Sequence, residues 1–436
     1  MRMARWNSLD TVGRMRLLAR PRVETGGKLR QTVAEIMQAV RDGGDQALAR
    51  LTERFDGVQP PAMWVATADR PDLEAELDAA IETAIGTVRA FHEPSRPQDY
   101  EVATAPGMRC RMRFVPLDPV GLYVPAGSAP LPSTAIMLTV PARIAGCEHI
   151  VLATPPNAAG NADPAVLAVA ARLGIDKVLL AGGAQAVAAM VYGTETVPAC
   201  LKIFGPGNRF VTEAKRQAAA SPDGAAMDLP AGPSELMVIA DATADADLVA
   251  MDLLSQAEHG PDSQVFLVTT SDELAAAVRA ALKRRLADLP RAETAGAALE
   301  HGAIVLVEDL DQALSVSESY APEHLMVIAA KAESLAARVR SAGAVFVGPW
   351  TPESLGDYVS GPNHTLPTGG WARSLSGLST TDFMRRMTVQ SATAAGLAAL
   401  GPVAARLAAC EGLEAHRLAV ELRLEQLAPA GKRNTT

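Results

Sequence analysis

HIVLATPPNAAGNADPAVLAVAARLGIDKVLLAGGAQAVAAM, residues 149–190, reads as strand, helix, strand, helix. His149–Thr154 is a short apolar run stopped by two prolines. Asp163 before Pro164 is an N-cap followed by proline in the first helical position, and Pro164–Leu173 continues as a helix. Lys177–Leu180 is a second apolar run, and Gln185–Val191 a second helix. Runs that are apolar throughout, instead of alternating with polar residues, are strands covered on both faces. Strand–helix alternation of this kind specifies a parallel sheet with helices on either side.

The pattern extends in both directions. Downstream come strand Leu201–Phe204 and helix Phe210–Ala220, then a turn-rich break, Asp228-Leu-Pro-Ala-Gly-Pro-Ser-Glu235. A second series follows: strand Leu236–Ala240, helix Asp245–Glu258, strand Gln264–Thr269, helix Glu273–Leu286 and strand Ala303–Val307. It runs on through helix Gln312–Ser317, strand Leu325–Ile328, helix Ser334–Ser341 and strand Ala344–Val347. Upstream, Thr32–Val40, Gln46–Phe55 and Leu73–Phe91 carry helical apolar spacing. Trp350–Gly377 is polar and rich in Gly and Pro. From Ala392 the chain is helical again, ending in the polar tail Gly431–Thr436. The expected fold class is α/β: two Rossmann-like domains with parallel sheets, a helical N-terminal region and a helical C-terminal tail.

The 436 residues are 48% hydrophobic and 20% charged, the balance of a soluble globular chain. A net charge of −9 opposes a nucleic-acid footprint and a polybasic membrane anchor. No apolar run reaches the ~18 residues a membrane span needs. The N-terminus MRMARWNSLD lacks the apolar core of a secretory signal. Four scattered cysteines without a C-x-x-C pair read as reduced thiols, so the expected location is cytoplasmic.

Candidate chemistry gathers in four segments. In Ser-Gln-Ala-Glu-His-Gly-Pro, Gln256 and His259 sit three apart at a helix end, hence on one face. Both can ligate a divalent metal, although by itself the segment reads more readily as a helix end with His259 as its C-terminal cation. Glu323 and His324 are adjacent at a loop-to-strand edge, where carboxylate and imidazole can share proton transfers. Asp357 and His364 lie in a Gly-containing polar loop, as a metal ligand and a polar contact. Glu411 and His416 stand near the start of the last helix; by themselves they are ordinary surface charges. Three glycine turns offer phosphate-binding geometry: Leu122–Ala129, Ala181–Gln185 and Phe204–Arg209. None completes G-x-G-x-x-G, so a dinucleotide site and plain tight turns stay equally open on spacing.

Taken together, the segments GLYVPAGSAPLPST, GGAQAVAA, KIFGPGNRFVTEAKRQ, DLPAGPSEL, SQAEHGPDSQ, APEHL, SLGDYVSGPNHTLPT and EGLEAH resemble histidinol dehydrogenases, in family order from Gly121 to His416. The resemblance implies NAD-dependent four-electron oxidation of L-histidinol to L-histidine through L-histidinal, the last step of histidine biosynthesis. It implies one Zn²⁺ per subunit, held by Gln256, His259, Asp357 and His416, and a catalytic pair, Glu323 and His324. Tyr123, Gln185 and Asn208 match NAD contacts. The substrate set is Ser234, Gln256, His259, His324, Asp357, His364, Glu411 and His416. The implied assembly is a homodimer sharing its active sites, with no nucleic acid or membrane partner. The implied organisation is an arm of residues 1–30, a first α/β domain of 31–120 with 233–380, a second of 121–232, and a C-terminal helical tail of 381–436 exchanged between subunits.

One departure is Ala126, where the family more usually has Gly. If the backbone there required positive φ, alanine would cost ~1 kcal/mol; if only room is required, a methyl crowds the cofactor. The rival reading within the same fold is a zinc- and NAD-dependent dehydrogenase of another small polyol or a sulfonated alcohol. A sulfonate would call for extra Arg, whereas Glu411 and His416 suit an amine and an imidazole. A zinc-binding protein without catalysis is opposed by the presence of both Glu323 and His324.

Overall fold

The computed structural model of the chain describes residues 1–21, 26–126, 129–230 and 232–427. The tail Gly431–Thr436 lies outside them. The chain divides into two compact units, Met1–Ser95 with Leu117–Phe383, and Arg96–Pro116 with Met384–Thr436.

The larger unit contains both parallel sheets. In the first, the strand order is Trp64–Ala66, Lys177–Leu180, Ile150–Thr154, Val120–Tyr123, Lys202–Phe204, Ala226–Met227, and all neighbours are parallel except the Trp64–Ala66 edge. Its Val151, Ala153, Leu179 and Ile203 bury against helices Gly27–Asp56, Gly183–Tyr192 and Arg209–Ala220. The helical N-terminal region thus covers this sheet. The two helical stretches expected at Thr32–Val40 and Gln46–Phe55 run as one element, Gly27–Asp56, broken at Gly44 by φ 51°, ψ −140°. There the freed Asp45 N–H donates to Glu195 at 2.7 Å.

The second sheet is wholly parallel, in the order Arg2–Arg5, Ala303–Leu306, Gln264–Thr269, Glu235–Ala240, His324–Ile328, Ala344–Val347. Successive side chains of one strand feed opposite cores. Leu236, Val238 and Ala240 pack on helices Ala246–Ala257, Asp272–Leu286 and Ala292–His301. Met237 and Ile239 pack on Trp6, Leu17, Val316 and Tyr320 from the other side. Each fully buried Val, Leu or Ile adds roughly 1.5–3 kcal/mol of hydrophobic stabilisation, which is why the central strands are apolar on both faces along most of their length. Arg2–Arg5 joins as an exposed edge strand with no apolar pattern to announce it.

The smaller unit is an antiparallel sheet, Met384–Ala392, Met108–Pro116 and Tyr100–Ala105, followed by a helical hairpin, Ala394–Cys410 and Glu414–Leu427. This sheet was not legible in the sequence. Gly401 lets the hairpin close, since a Cβ there would lie 3.0 Å from Leu424. No helix among the described residues is long and apolar enough to cross a membrane. The four cysteines are free.

Candidate active site

The second sheet carries a polar cluster at the amino ends of strands Glu235–Ala240 and His324–Ile328. Glu323 precedes one strand and its Oε2 accepts the Glu235 N–H of the other at 2.9 Å. His324 opens its strand, with Nδ1 3.2 Å from the Glu235 carbonyl, 3.5 Å from Glu353 Oε1 and 3.6 Å from Glu323 Oε2. Donation from Nδ1 leaves Nε2 as the basic nitrogen, 3.9 Å from Asp357 Oδ1. Helix Glu353–Tyr358 supplies Asp357, whose Oδ2 is 3.9 Å from His259 Nε2. His259 Nδ1 lies 3.2 Å from Gln256 Nε2, on the turn ending helix Ala246–Ala257. His364 Nδ1 donates to the Asp357 carbonyl at 2.8 Å, and its Nε2 meets the Thr134 hydroxyl at 3.3 Å.

Glu323, His324 and Glu353 are buried, and burial sets their proton affinities. Glu323 is pushed well above the usual carboxyl range by desolvation, with the Glu235 and Asp357 charges adding to it. Glu353 is raised likewise, by burial first and then by Asp357, Glu323 and Asp252. Burial pulls His324 down to about 4 and also lowers His364. His324 therefore stands as a neutral base at pH 7.

Three observations fit a divalent cation here. Gln256 is wholly buried, and its Oε1 has no hydrogen-bond partner. Both Glu353 oxygens are likewise without one. His324, Glu353 and Asp357 each offer a ligand atom within 4.8 Å of the others. Buried oxygens left unpaired cost about 1–3 kcal/mol each, and more when charged. A set of carboxylate, imidazole and carboxamide donors suits zinc, with manganese and cobalt as alternatives.

A cavity of about 390 Å³ opens at the carboxyl ends of the first sheet. Tyr123, Gln185 and Asn208 all line it, from the ends of three different strand–helix units. Tyr123 OH accepts the Gly183 N–H at 3.1 Å. Asn208 caps helix Arg209–Ala220 by accepting from Phe210 and Val211 N–H. A buried ion pair, Lys215 with Asp228, holds the loop between them: Lys215 donates to the Gly205 carbonyl at 2.8 Å, and Asp228 accepts the Gly205 N–H at 2.7 Å. Ala126 lines the cavity too. Among the described residues the one non-glycine with positive φ is Ala321, so the methyl of Ala126 costs no backbone strain and acts only by the space it fills.

The histidinol dehydrogenase profile matches residues 19–424 of this chain. The histidinol dehydrogenase of Xylella fastidiosa strain Temecula1 is 50% identical over 428 residues, 97% of this chain and 99% of that protein. The chain belongs to the histidinol dehydrogenase family. The Idiomarina loihiensis histidinol dehydrogenase is 49% identical over 424 residues, 96% of each. A crystal structure of histidinol dehydrogenase from Elizabethkingia anophelis superposes with a TM-score of 0.91 at 39% identity, covering 96% of this chain and 97% of that one. These matches do not favour a dehydrogenase of another polyol or of a sulfonated alcohol.

For a histidinol dehydrogenase, this chain brings together Gln256, His259, Glu323, His324, Asp357 and His364 in one cluster, and Tyr123, Gln185 and Asn208 in one cavity. Ser234 lies just before Glu235, its carbonyl accepting the Gln264 N–H at 3.0 Å. Glu411 and His416 are exposed residues of the smaller unit, on and after the turn that joins its two helices. Sequence reading missed Glu353 and Glu235. Glu353 had a signal, since it stands four residues before Asp357 and so shares its helix face. Glu235 had none, because it meets Glu323 and His324 through its backbone N–H and carbonyl, and its side-chain charge acts only once the strands are paired.

Proposed function

We propose that this chain oxidises L-histidinol to L-histidine in two successive NAD⁺-linked steps, with L-histidinal retained between them. The observation that carries this reading is the buried Glu323–His324 pair set against Gln256, His259 and Asp357. Gln256, His259 and Asp357, with the partner subunit's His416, would hold one Zn²⁺. When bound, the zinc supplies an anchor for the imidazole and amino nitrogens of the substrate, and NAD⁺ supplies the hydride acceptor.

The chain's own residues move the protons. His324, neutral and dry, takes the hydroxyl proton through Nε2 as the carbinol carbon gives up hydride. Glu323 takes a proton from the water that adds to the aldehyde, and His324 serves again for the hydrate hydroxyl. A buried carboxylate binds a proton more readily than an exposed one, which suits Glu323 to water once a cation offsets its acidic neighbours. His364, fixed through Asp357 and Thr134, presents a polar wall to the substrate. Holding both substrate nitrogens fixes the reacting carbon, an orientation effect. Tyr123, Gln185 and Asn208 would bind the nucleotide.

The shared-site homodimer is part of this reading. The helical hairpin exposes Val403 (57%), Leu407 (59%) and Leu422 (56%), apolar side chains that a partner surface would cover. A cytoplasmic location fits the free thiols of Cys110 and Cys410. The test is stoichiometric. With limiting L-histidinol and excess NAD⁺, the purified protein should form two NADH per substrate consumed. One NADH per substrate, or none, overturns the reading.

A further inference from the structure

The nucleotide cavity contains a carboxylate with no role so far. Asp56 ends helix Gly27–Asp56, and Gly57 stops the helix at φ 74°. Among the described residues lining the cavity, Asp56 is the one charged side chain; no lysine or arginine lines it. Its Oδ2 accepts the Gly182 N–H at 3.2 Å and Gln185 Nε2 at 3.3 Å, so the group is held from two sides. Glycine at 182 admits it, because a Cβ there would lie 2.5 Å from Asp56 Oδ1. None of the hydrogen bonds described is accepted by Oδ1.

The surroundings say which part of a dinucleotide meets this group. Ile36, Phe55, Pro155 and Phe210 line the cavity with Asp56, and Phe55 is an aromatic left 45% exposed. That combination offers flat apolar contact for a purine base beside a hydroxyl acceptor. Pro125 and Ala126, which also line the cavity, stand a few residues before helix Pro132–Ala145, whose Thr134 touches His364. That connection to His364 assigns the reactive ring to Pro125 and Ala126, and leaves the adenosine to Phe55 and Asp56.

We propose that Asp56 is the residue that selects NAD⁺ over NADP⁺, accepting from the adenosine ribose hydroxyls and rejecting a 2′-phosphate. This rests on the reading of the cavity as the nucleotide site. A ribose diol donates two hydrogen bonds to a carboxylate. A 2′-phosphate donates none near neutral pH, brings up to two negative charges to the same spot, and finds no cation there to offset them.

The test is a binding titration of the zinc-loaded protein with NAD⁺ and NADP⁺, without histidinol, followed by calorimetry. Wild type should bind NAD⁺ at least ~100-fold more tightly than NADP⁺, and Asp56→Asn should narrow that ratio about tenfold or more, the size expected when a charged, hydrogen-bonding discriminator is lost. Asp56→Asn keeps the shape of the side chain, and Asp56→Ser opens space; an unchanged thermal midpoint shows that each is folded. A wild-type ratio retained by both folded variants overturns the proposal. So does equal weakening of both nucleotides, the signature of a group that merely holds Gln185. Gln185→Ala separates the two levels. If it leaves NAD⁺ binding unchanged, the cavity is not the nucleotide site and both readings fall. If it weakens NAD⁺ while the Asp56 variants keep the ratio, only the role of Asp56 falls.

Discussion

Glu323 and His324 are chain neighbours with opposite needs, and one burial serves both. The same dry setting pulls the imidazole toward its neutral form and pushes the carboxyl toward its protonated one. If Glu323 acts on water alone, Glu323→Gln should slow oxidation of supplied histidinal by at least ~10-fold more than oxidation of histidinol to the aldehyde, within the 10²–10⁴-fold range of general-base losses. Single-turnover kinetics of the two halves check this, and equal losses would refute the division of labour. The orphaned Gln256 Oε1 makes a second prediction at this scale. Gln256→Ala and His259→Asn should leave the folded protein with well under one zinc per chain by atomic absorption, because each removes one donor from a small set. The residues the sequence disclosed here were those with distinctive chemistry at fixed spacing: Gln256 with His259, and Glu323 with His324. Glu353 was legible only through its four-residue spacing to Asp357, and Asp56 stayed hidden because nothing but the folded surroundings separates it from a surface acid.

At the scale of elements, the loops after the first sheet show how one side chain can bind and brace. Asn208 lines the cavity and also caps its helix. Asn208→Ala should therefore cost about 1 kcal/mol of stability, as lost N-caps do, and weaken NAD⁺ binding as well. Denaturant titration and nucleotide titration on the same samples separate the two effects. The Lys215–Asp228 pair behind it is nearly inaccessible, 2% and 1% exposed. Lys215→Met would strand a buried carboxylate at a cost of about 3–5 kcal/mol, visible as a large drop in the unfolding midpoint. The parallel strands were legible because their runs are nearly continuous in apolar residues, and Lys177–Leu180, Gln264–Thr269 and Ala344–Val347 are placed to the residue. The antiparallel strand Met108–Pro116 was not, since its sequence MRCRMRFVP spaces arginines along a ribbon that is half-buried at best. Strand Arg2–Arg5 hid for the same reason.

For the molecule as a whole, the two sheets use opposite ends. The cavity proposed for the nucleotide opens at carboxyl ends, where parallel sheets ordinarily bind ligands, while the proposed catalytic cluster stands at the amino ends of Glu235–Ala240 and His324–Ile328. Helix Pro132–Ala145 links them: it follows the cavity loop, and Thr134 reaches His364. Glu411 and His416 belong to the other unit, and the proposed active site takes them from a second chain. Two separately inactive variants decide this. In His416→Asn every site lacks the partner's ligand, and in His324→Asn every site lacks its base. Unfolded together in equal amounts and refolded, random pairing makes half the dimers mixed, each with one intact site and one doubly damaged site. About a quarter of wild-type activity should return, as symmetric dimers with shared sites require. If His416 served its own chain, every site in the mixture would carry a lesion, and the NADH assay would stay at the level of the separate variants.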